Sequence, residues 1–255
     1  MKVLIFLSLL IAAHARAQES EWPVELIKVE KINYERNDHA SYCLRPPEMI
    51  DTIVFHHSSG PSSTTPQSIN EMHLNRGSAA DPWYMIAYSY VVNAAYPGDS
   101  APLPLVTEGR PMDIVGAHAG SQAFVTMSEE QQKLWDEGKI VCARPSDGFS
   151  VDPNQLRNGK IKANVTTIGV VVPGNYERFH PSRNPGGWTN RKPRYPTKAT
   201  QEMLAKLSCQ LQKKHPRMKY LKWHNYYNST DCPGNIKEYV DEIRDLAKGY
   251  GCDFN

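Results

Sequence analysis

The sequence predicts an α/β or α+β domain in which one β-sheet is covered by helices. Short runs rich in β-branched residues alternate along the chain with segments of helical periodicity, which indicates interleaved strands and helices. In addition, 40% of the 255 residues are hydrophobic and 22% are charged, the ordinary range for a globular protein. This composition argues against a disordered or collagen-like chain.

Residues 1–17 have the layout of a secretory signal peptide. An apolar run of 11 residues follows Lys2, and Ala15-Arg16-Ala17 precedes a predicted cleavage site before Gln18. The run is too short for a membrane-spanning helix, and no later segment approaches 18 apolar residues. We therefore expect a secreted or periplasmic protein without a membrane anchor.

The charge balance argues against a nucleic-acid-binding protein. The formal charge is +2, from 29 Lys and Arg against 27 Asp and Glu, whereas phosphate contacts need a concentrated basic face. Cleavage of the predicted signal would remove Lys2 and Arg16, which leaves 27 basic residues against 27 acidic ones. We therefore expect no nucleic-acid partner.

The first elements follow a charged N-terminal extension, predicted over residues 18–48, and open a domain predicted over residues 49–255. Residues 51–55 are predicted to form a strand that ends in a polar loop at His56-His57. Thr65 as N-cap and Pro66 in the first turn predict a helix over residues 66–76. Aromatic and β-branched runs predict strands over residues 84–93, 103–107 and 166–172.

Two long segments are predicted as loops. Residues 121–165 form an insertion with a short helix over residues 128–137, and residues 178–197 contain four prolines and two adjacent glycines. Loops of this length are typical of functional or mobile segments.

The C-terminal third contains two helices and a strand. Residues 200–215 place four apolar side chains on one helical face, and Pro216 ends that helix. Residues 220–223 are predicted to form a short strand. Residues 236–247 show a second apolar helical face that ends at Gly249.

Five cysteines follow the predicted cleavage site, and an odd number leaves one without a disulfide partner. Four cysteines allow three pairings, and the sequence does not choose between them. We favour Cys209 with Cys252 because both lie in the C-terminal helical region, which pairs Cys43 with Cys142. Cys232 is then left unpaired, for the reason given next.

Three zinc-ligand side chains follow the ends of predicted strands. His56 follows the first strand, His224 follows the last one, and Cys232 comes eight residues later. Imidazole and thiolate are preferred zinc ligands, and three protein ligands with a fourth position open to water define a catalytic site. The spacing alone is weak evidence, because His and Cys occur at this distance by chance.

Six motifs in the same order resemble those of zinc N-acetylmuramoyl-L-alanine amidases, across roughly residues 49–249. The chain is similar to the branch that includes peptidoglycan recognition proteins and phage lysozyme-type amidases. The motifs are Ile53-Val54-Phe55-His56-His57-Ser58, Ala87-Tyr88-Ser89-Tyr90, Glu108-Gly109-Arg110, Gly116-Ala117-His118-Ala119-Gly120, Ile168-Gly169-Val170 through Gly174-Asn175-Tyr176, and His224 to Cys232-Pro233-Gly234.

The resemblance implies a single α/β domain with a central mixed β-sheet flanked by helices, here with long loop insertions. It implies that His56, His224 and Cys232 bind one Zn²⁺ per chain, that Tyr88 is catalytic, and that Thr230 helps to stabilise the oxyanion. The implied partner is peptidoglycan or a muropeptide, and we expect a monomer. Cytoplasmic recycling amidases of the superfamily carry a catalytic Glu where this chain has Val171, so Tyr88 is expected to serve instead.

Structural alternatives exist for several of these residues. Tyr88 is also compatible with core packing, and Thr230 with a turn or with the glycosylation sequon that it completes. Arg110 and His118 are candidate substrate contacts. His57 is a third candidate contact, or else a residue that supports the metal ligands.

Three functions are compatible with these features. The leading one is a secreted zinc amidase that cuts the amide bond between N-acetylmuramic acid and L-alanine of the stem peptide. The second is a non-catalytic peptidoglycan-binding module, which the presence of all three ligand positions disfavours. The third is a hydrolase in which Cys232 is the nucleophile.

Overall fold

The computed structural model describes residues 26–78, 81–93, 105–144, 148–177 and 195–255. The predicted signal peptide and residues 178–194 of the second predicted loop lie outside this part. The strands within it are β1 (Val29–Lys31), β2 (Tyr42–Leu44), β3 (Thr52–His57), β4 (Gly77–Ser78), β5 (Asp81–Pro82), β6 (Tyr90–Asn93), β7 (Leu105–Glu108), β8 (Phe124–Thr126), β9 (Val141–Arg144), β10 (Gly148–Ser150), β11 (Leu156–Arg157), β12 (Lys160–Lys162), β13 (Thr167–Val172) and β14 (Tyr220–Trp223).

The α-helices of the described residues are α1 (Pro66–Leu74), α2 (Glu129–Asp136), α3 (Ala163–Thr166), α4 (Lys198–Lys214) and α5 (Val240–Gly249). Short 3₁₀ segments lie at Pro47–Met49, Pro153–Gln155, His224–Tyr226 and Gly234–Tyr239. No helix among the described residues is both long enough and apolar enough to cross a bilayer.

A six-stranded mixed sheet forms the centre of the domain, in the order β1-β7-β6-β13-β3-β14. Strand β3 lies between β13 and β14 and is parallel to both, whereas β6 and β7 are antiparallel. All six residues of β3 and of β13 are buried, which agrees with the apolar runs at the centre of β3 and over most of β13. The predicted fold class, a mixed central sheet flanked by helices, is confirmed.

Helices cover the sheet through separate apolar clusters. One cluster joins β3, β13 and β14 to α4 and α5, and it includes Leu204, Leu207 and Ile243. A second cluster packs Ile69 of α1 against Val91 and Val171 of the sheet. Because both faces of such a sheet are covered, polar functional side chains are expected at the ends of the strands.

The first two helices begin at capping boxes, and the cap predicted at Thr65 is confirmed. Thr65 accepts a hydrogen bond from the Ser68 amide, and the Ser68 side chain bonds back to Thr65, which completes a capping box before α1. Ser128 and Gln131 form the same device before α2. The helix predicted over residues 236–247 is present, although its first turns are 3₁₀ and the α-helix begins at Val240.

The strand predicted over residues 84–93 is wrong for its first half, because only Tyr90–Asn93 pairs as β6. The Ile86 and Ala87 amides instead donate to Asn70 Oδ1 at 2.7 Å and His73 Nδ1 at 3.0 Å. Both acceptors lie on α1. Side chains of a helix therefore replace the strand partner that this run would otherwise have needed.

The 121–165 insertion is more ordered than loop chemistry indicates. It contributes α2, the three-stranded sheet β11-β12-β8, and strands β9 and β10 of a second sheet, β10-β9-β2. Ile140, Ile161 and Val165 form a small core together with Met49 and Val115. A disulfide joins Cys43 to Cys142 in neighbouring strands, and another joins Cys209 to Cys252, so both favoured pairings are confirmed.

The segment predicted as an N-terminal extension also takes part in these sheets. Strand β1 adds to the edge of the central sheet in parallel with β7, and β2 pairs with β9 of the insertion. Each of these strands has three residues, too few to show an alternating pattern in the sequence.

Candidate metal centre

Two histidines meet because β3 and β14 are parallel neighbours. The last register pair of these strands joins Phe55 to Trp223, so His56 and His224 are the next residues after this pair in the two segments. Their ring centroids lie 4.5 Å apart. The carboxyl ends of parallel strands share one sheet edge, and this places both imidazoles there.

Cys232 reaches the same edge from the connection between β14 and α5. The loop is anchored by the Asn225 amide, which donates to the Cys232 carbonyl at 3.0 Å, and by the Asn235 amide, which donates to the Tyr176 carbonyl at 2.8 Å. Gly234 has φ of +61°, and a Cβ there would collide with the Tyr176 carbonyl. The loop therefore needs glycine at this position to bring the thiol in.

The ligand atoms of His56, His224 and Cys232 all lie within 4.8 Å of one another. The Cys232 Sγ is 3.6 Å from His56 Nδ1 and accepts a hydrogen bond from the His57 amide at 3.4 Å. Cys232 has no disulfide partner, as predicted.

The two ring nitrogens of His224 indicate what this cluster needs. Both are buried and have no hydrogen-bond partner within the described part of the protein. An unsatisfied buried polar atom costs about 1–3 kcal/mol, so such atoms usually mark a missing ligand or water. A thiol and two imidazoles match the donor set of a zinc site with one open position, so these residues fit Zn²⁺.

His118 lies directly behind His56. Its Nδ1 is 3.0 Å from His56 Nε2, and its Nε2 is 3.2 Å from Thr167 Oγ1. Asn164 Oδ1 accepts from the amides of His118 and Ala119, which fixes the backbone of this motif. His118 is only 4% exposed, so it contacts a proposed ligand residue rather than an open surface.

His57 points away from the metal cluster. Its Nδ1 accepts from the Tyr176 amide at 3.0 Å, and its Nε2 lies 3.2 Å from Ser59 Oγ. The ring is 3% exposed. This placement matches the alternative in which His57 supports the ligands, since its own amide bonds the thiol of Cys232.

Tyr88 lies beside the cluster. Its ring centroid is 5.0 Å from that of His56 and 5.4 Å from that of His73. Burial raises the pKa of its phenol, so the hydroxyl stays protonated and remains a hydrogen-bond donor at neutral pH. Thr230 lies two residues before Cys232, and its Oγ1 accepts from the Cys232 amide at 3.3 Å. That bond leaves the Thr230 hydroxyl hydrogen available.

Arg110 serves the main chain that carries Tyr88. Its Nε and Nη2 donate to the carbonyls of Ile86 and Met85, each at 2.8 Å, and its Nη1 donates to Val115 at 2.7 Å. The side chain is 4% exposed, which leaves it little surface for the predicted substrate contact.

We expect Arg110→Met to lower the free energy of unfolding by about 2–4 kcal/mol, because three buried carbonyls lose their donors. Urea unfolding measures the effect. Wild-type stability in this variant would contradict the structural role.

The predictions missed three residues that shape the site: His73, Asn164 and Thr167. His73 is a buried side chain of α1 that caps the Ala87 amide and contacts Tyr88. His73 and Asn164 bond main-chain amides distant in sequence, and Thr167 bonds the ring of His118, so residue type and spacing gave no signal for these contacts.

The buried histidines of the site favour their neutral forms. Burial lowers the pKa of His57 and of His224 to about 4 and that of His118 to about 3, and it lowers the pKa of His56 strongly. Neutral imidazole is the form that binds zinc.

The pH dependence of stability should show the same effect at His73, whose pKa is lowered to about 3 by burial first and by Arg76 and Arg110 second. As pH falls below about 6.5, the unfolded chain binds this proton before the folded one does, so stability is lost on the acid side. His73→Asn keeps an acceptor for Ala87 without titrating. Its stability should depend less steeply on pH between about 6 and 4, by up to about 1.4 kcal/mol per pH unit. Equal slopes in urea unfolding of both chelator-treated proteins would refute this.

A cavity of about 410 Å³ lies between the His118 motif and the insertion. Its lining includes Tyr42, Trp83 and Gly116, and it also includes Gln155 and Lys162 from the insertion. The insertion therefore shapes the surface beside the His118 motif, and none of the three candidate ligands lines this cavity.

No protein-family model and no curated protein matches the sequence. Among solved structures, the chain is similar to the N-acetylmuramoyl-L-alanine amidase LysC from Clostridium intestinale, at 21% identity, with a TM-score of 0.48 over 87% of this chain and 97% of that one. It is also similar to Drosophila peptidoglycan recognition protein SD, at 14% identity and a TM-score of 0.47 over 84% and 95% of the two chains. For Drosophila PGRP-LB, the values are 16% identity and a TM-score of 0.45 over 84% and 93%.

Proposed function

We propose that this protein is a secreted zinc amidase that hydrolyses the bond between N-acetylmuramic acid and the L-alanine of the peptidoglycan stem peptide. The observation that carries the proposal is the cluster of His56, His224 and Cys232, whose ligand atoms lie within 4.8 Å of one another at one sheet edge. The order of the six sequence motifs supports the choice of reaction. The two disulfides are typical of proteins from oxidising compartments, which agrees with secretion.

His56, His224 and Cys232 would hold the metal through two neutral imidazoles and one thiolate. Zinc bound by such a set supplies a water of lowered pKa and polarises the carbonyl of the scissile amide. The protein contributes the rigid positions of the ligands: two are fixed by strand register, and the third is fixed by the anchored loop.

Tyr88 and Thr230 supply the hydrogen-bond donors in this proposal. Attack on an amide creates a tetrahedral oxyanion, which is stabilised by donors already in place. Tyr88 keeps its hydroxyl proton because burial raises its pKa, and its ring lies beside the His56 ring. The Thr230 hydroxyl is held by the Cys232 amide with its own hydrogen unused in that bond.

The three predicted substrate contacts have better support as residues that hold the site. Arg110 is bound to main-chain carbonyls, His57 to the Tyr176 amide, and His118 to His56. We also propose that the cavity beside the insertion, which Arg110 lines as well, receives part of the substrate. Its lining combines aromatic and polar side chains with a lysine, which suits a glycan that carries a short peptide.

Catalysis by a Cys232 nucleophile has less support. Burial raises the pKa of this thiol to about 12, whereas nucleophilic cysteines have a lowered pKa and an accessible sulfur. Cys232 is only 9% exposed. A metal would oppose the effect of burial by stabilising the thiolate, which agrees with a ligand role.

One experiment separates the three functions. Purified peptidoglycan is digested with the zinc-loaded protein, and the products are analysed by mass spectrometry. The amidase releases free stem peptides with an N-terminal alanine, loses activity with a chelator and regains it with added zinc. Binding to peptidoglycan without release would indicate a recognition module, and chelator-resistant activity that alkylation abolishes would indicate a thiol hydrolase.

A further inference from the structure

A main-chain carbonyl at the end of the insertion determines which ring nitrogen of His118 carries the hydrogen. The carbonyl of Ala163 can only accept, and Thr167 Oγ1 lies 2.8 Å from it, so the threonine hydroxyl donates there. The same oxygen therefore accepts from His118 Nε2 at 3.2 Å, and the Thr167 carbonyl adds a second acceptor at 3.4 Å. Consequently the hydrogen of His118 is on Nε2.

The next hydrogen bond follows from the first. A neutral imidazole with hydrogen on Nε2 has an acceptor at Nδ1. His118 Nδ1 is 3.0 Å from His56 Nε2, so His56 must donate from Nε2. The lone pair of His56 is then on Nδ1, the nitrogen that lies 3.6 Å from the Cys232 sulfur.

We propose that His118 is a positioning residue that selects the His56 tautomer with a free Nδ1, and so presents that nitrogen to the metal. The inference rests on the proposed zinc site. It assigns His118 a role through His56 rather than a contact with substrate. Partners of this kind orient metal-bound histidines and contribute to metal affinity.

The packing around His118 shows a site shaped for its ring. Gly116 and Gly169 lie against the imidazole, and a Cβ at either position would come within 2.8 Å of a ring carbon. Such contacts are too close for a side chain of any other residue, so the chain leaves room for this imidazole from two sides. Thr167 is a fully buried residue of the central strand β13, so the end of the hydrogen-bond series is fixed by the sheet.

The direct test is His118→Phe, which keeps the ring and removes the acceptor. Zinc affinity is measured by competition with a chelator, and the His56 tautomer of the metal-free protein is read from side-chain ¹⁵N chemical shifts. We expect zinc to bind about 10–100-fold more weakly and the His56 hydrogen to distribute over both nitrogens. His118→Gln, which restores an acceptor, should recover part of the affinity. Unchanged affinity with the hydrogen still on Nε2 would overturn the proposal.

A milder pair of variants protects the test against misfolding. Thr167→Val removes the Oγ1 acceptor of His118 together with the hydroxyl that donates to the Ala163 carbonyl, and it should weaken zinc binding a few-fold, with a measurable shift in the His56 tautomer. Thr107→Val is the matched control, because Thr107 is also a fully buried strand residue and its Oγ1 has no hydrogen-bond partner among the described residues. Equal zinc affinities in the two valine variants would contradict the proposal. Zinc affinity and the His56 tautomer are both measured without turnover. If the wild-type protein releases no stem peptide but the variants change affinity and tautomer as expected, the amidase proposal is refuted and this inference stands.

Discussion

Cys232→Ala is expected to abolish zinc binding and hydrolysis together. Removing one of three protein ligands should cost about 4 kcal/mol of metal affinity, roughly a third of the binding free energy of a typical structural zinc site, or about 1,000-fold in Kd. In the alanine variant, the buried ring nitrogens of His224 also lose the metal that would satisfy them. Zinc content after dialysis and release of stem peptide from purified cell wall measure the two effects.

Two further variants sharpen this prediction. Cys232→Asp offers a carboxylate, another zinc ligand, and should retain more metal than the alanine variant. His39→Ala alters an exposed histidine outside the site and should change neither property. An alanine variant that binds zinc like the wild type would show that Cys232 is not a ligand. One that keeps zinc and loses activity would favour the thiol nucleophile.

Tyr88→Phe is expected to separate metal binding from turnover. The phenylalanine keeps the ring that packs on His56 and His73, so the zinc content should remain one per chain. Loss of the hydroxyl removes the donor that we propose for the oxyanion; such a donor is worth about 2.7–4 kcal/mol, so kcat should decrease about 100- to 1,000-fold. Thr230 would account for part of the activity that remains.

Tyr34→Phe provides the matched control for the loss of a phenol. The Tyr34 hydroxyl is also buried, has no hydrogen-bond partner within the described ranges, and belongs to the same apolar cluster that contacts Tyr88. This variant should keep the wild-type kcat. A Tyr88→Phe enzyme with wild-type kcat and normal zinc content would exclude the catalytic role and leave core packing as its function.

The sequence predicted the site best where it depends on strands. The strand at Tyr220–Trp223 was predicted with the observed bounds, and the one at 51–55 differs from β3 by one residue at its start and two at its end. Because each predicted strand is followed directly by a polar segment that begins with histidine, the predicted strand ends locate His56 and His224. The two histidines lie together because β3 and β14 are parallel neighbours. The order of strands in a sheet cannot be read from local sequence patterns.

Residues whose role depends on whether the side chain points inward or toward the surface were harder to predict. Arg110 and His118 are polar residues in loop-like motifs, a pattern that is equally typical of substrate contacts and of buried supports. Their side chains point inward, where Arg110 donates to main-chain carbonyls and His118 bonds the Thr167 hydroxyl and His56. The short strands of the insertion were missed for a related reason, since two to four residues show no period and their order depends on pairing with distant segments.

The two disulfides enclose different parts of the candidate metal centre. The Cys43–Cys142 bond, between residues 99 positions apart, closes a covalent ring that contains His56, Tyr88 and His118. The Cys209–Cys252 bond, with a separation of 43, closes another that contains His224 and Cys232. In the chain-entropy model, rings of these sizes restrain the unfolded state by about 4.7 and about 4 kcal/mol. The two halves of the site are thus separately tethered even in the denatured chain. Reduction of these bonds is therefore expected to weaken the proposed zinc binding, although none of the four disulfide sulfurs belongs to the candidate ligand set.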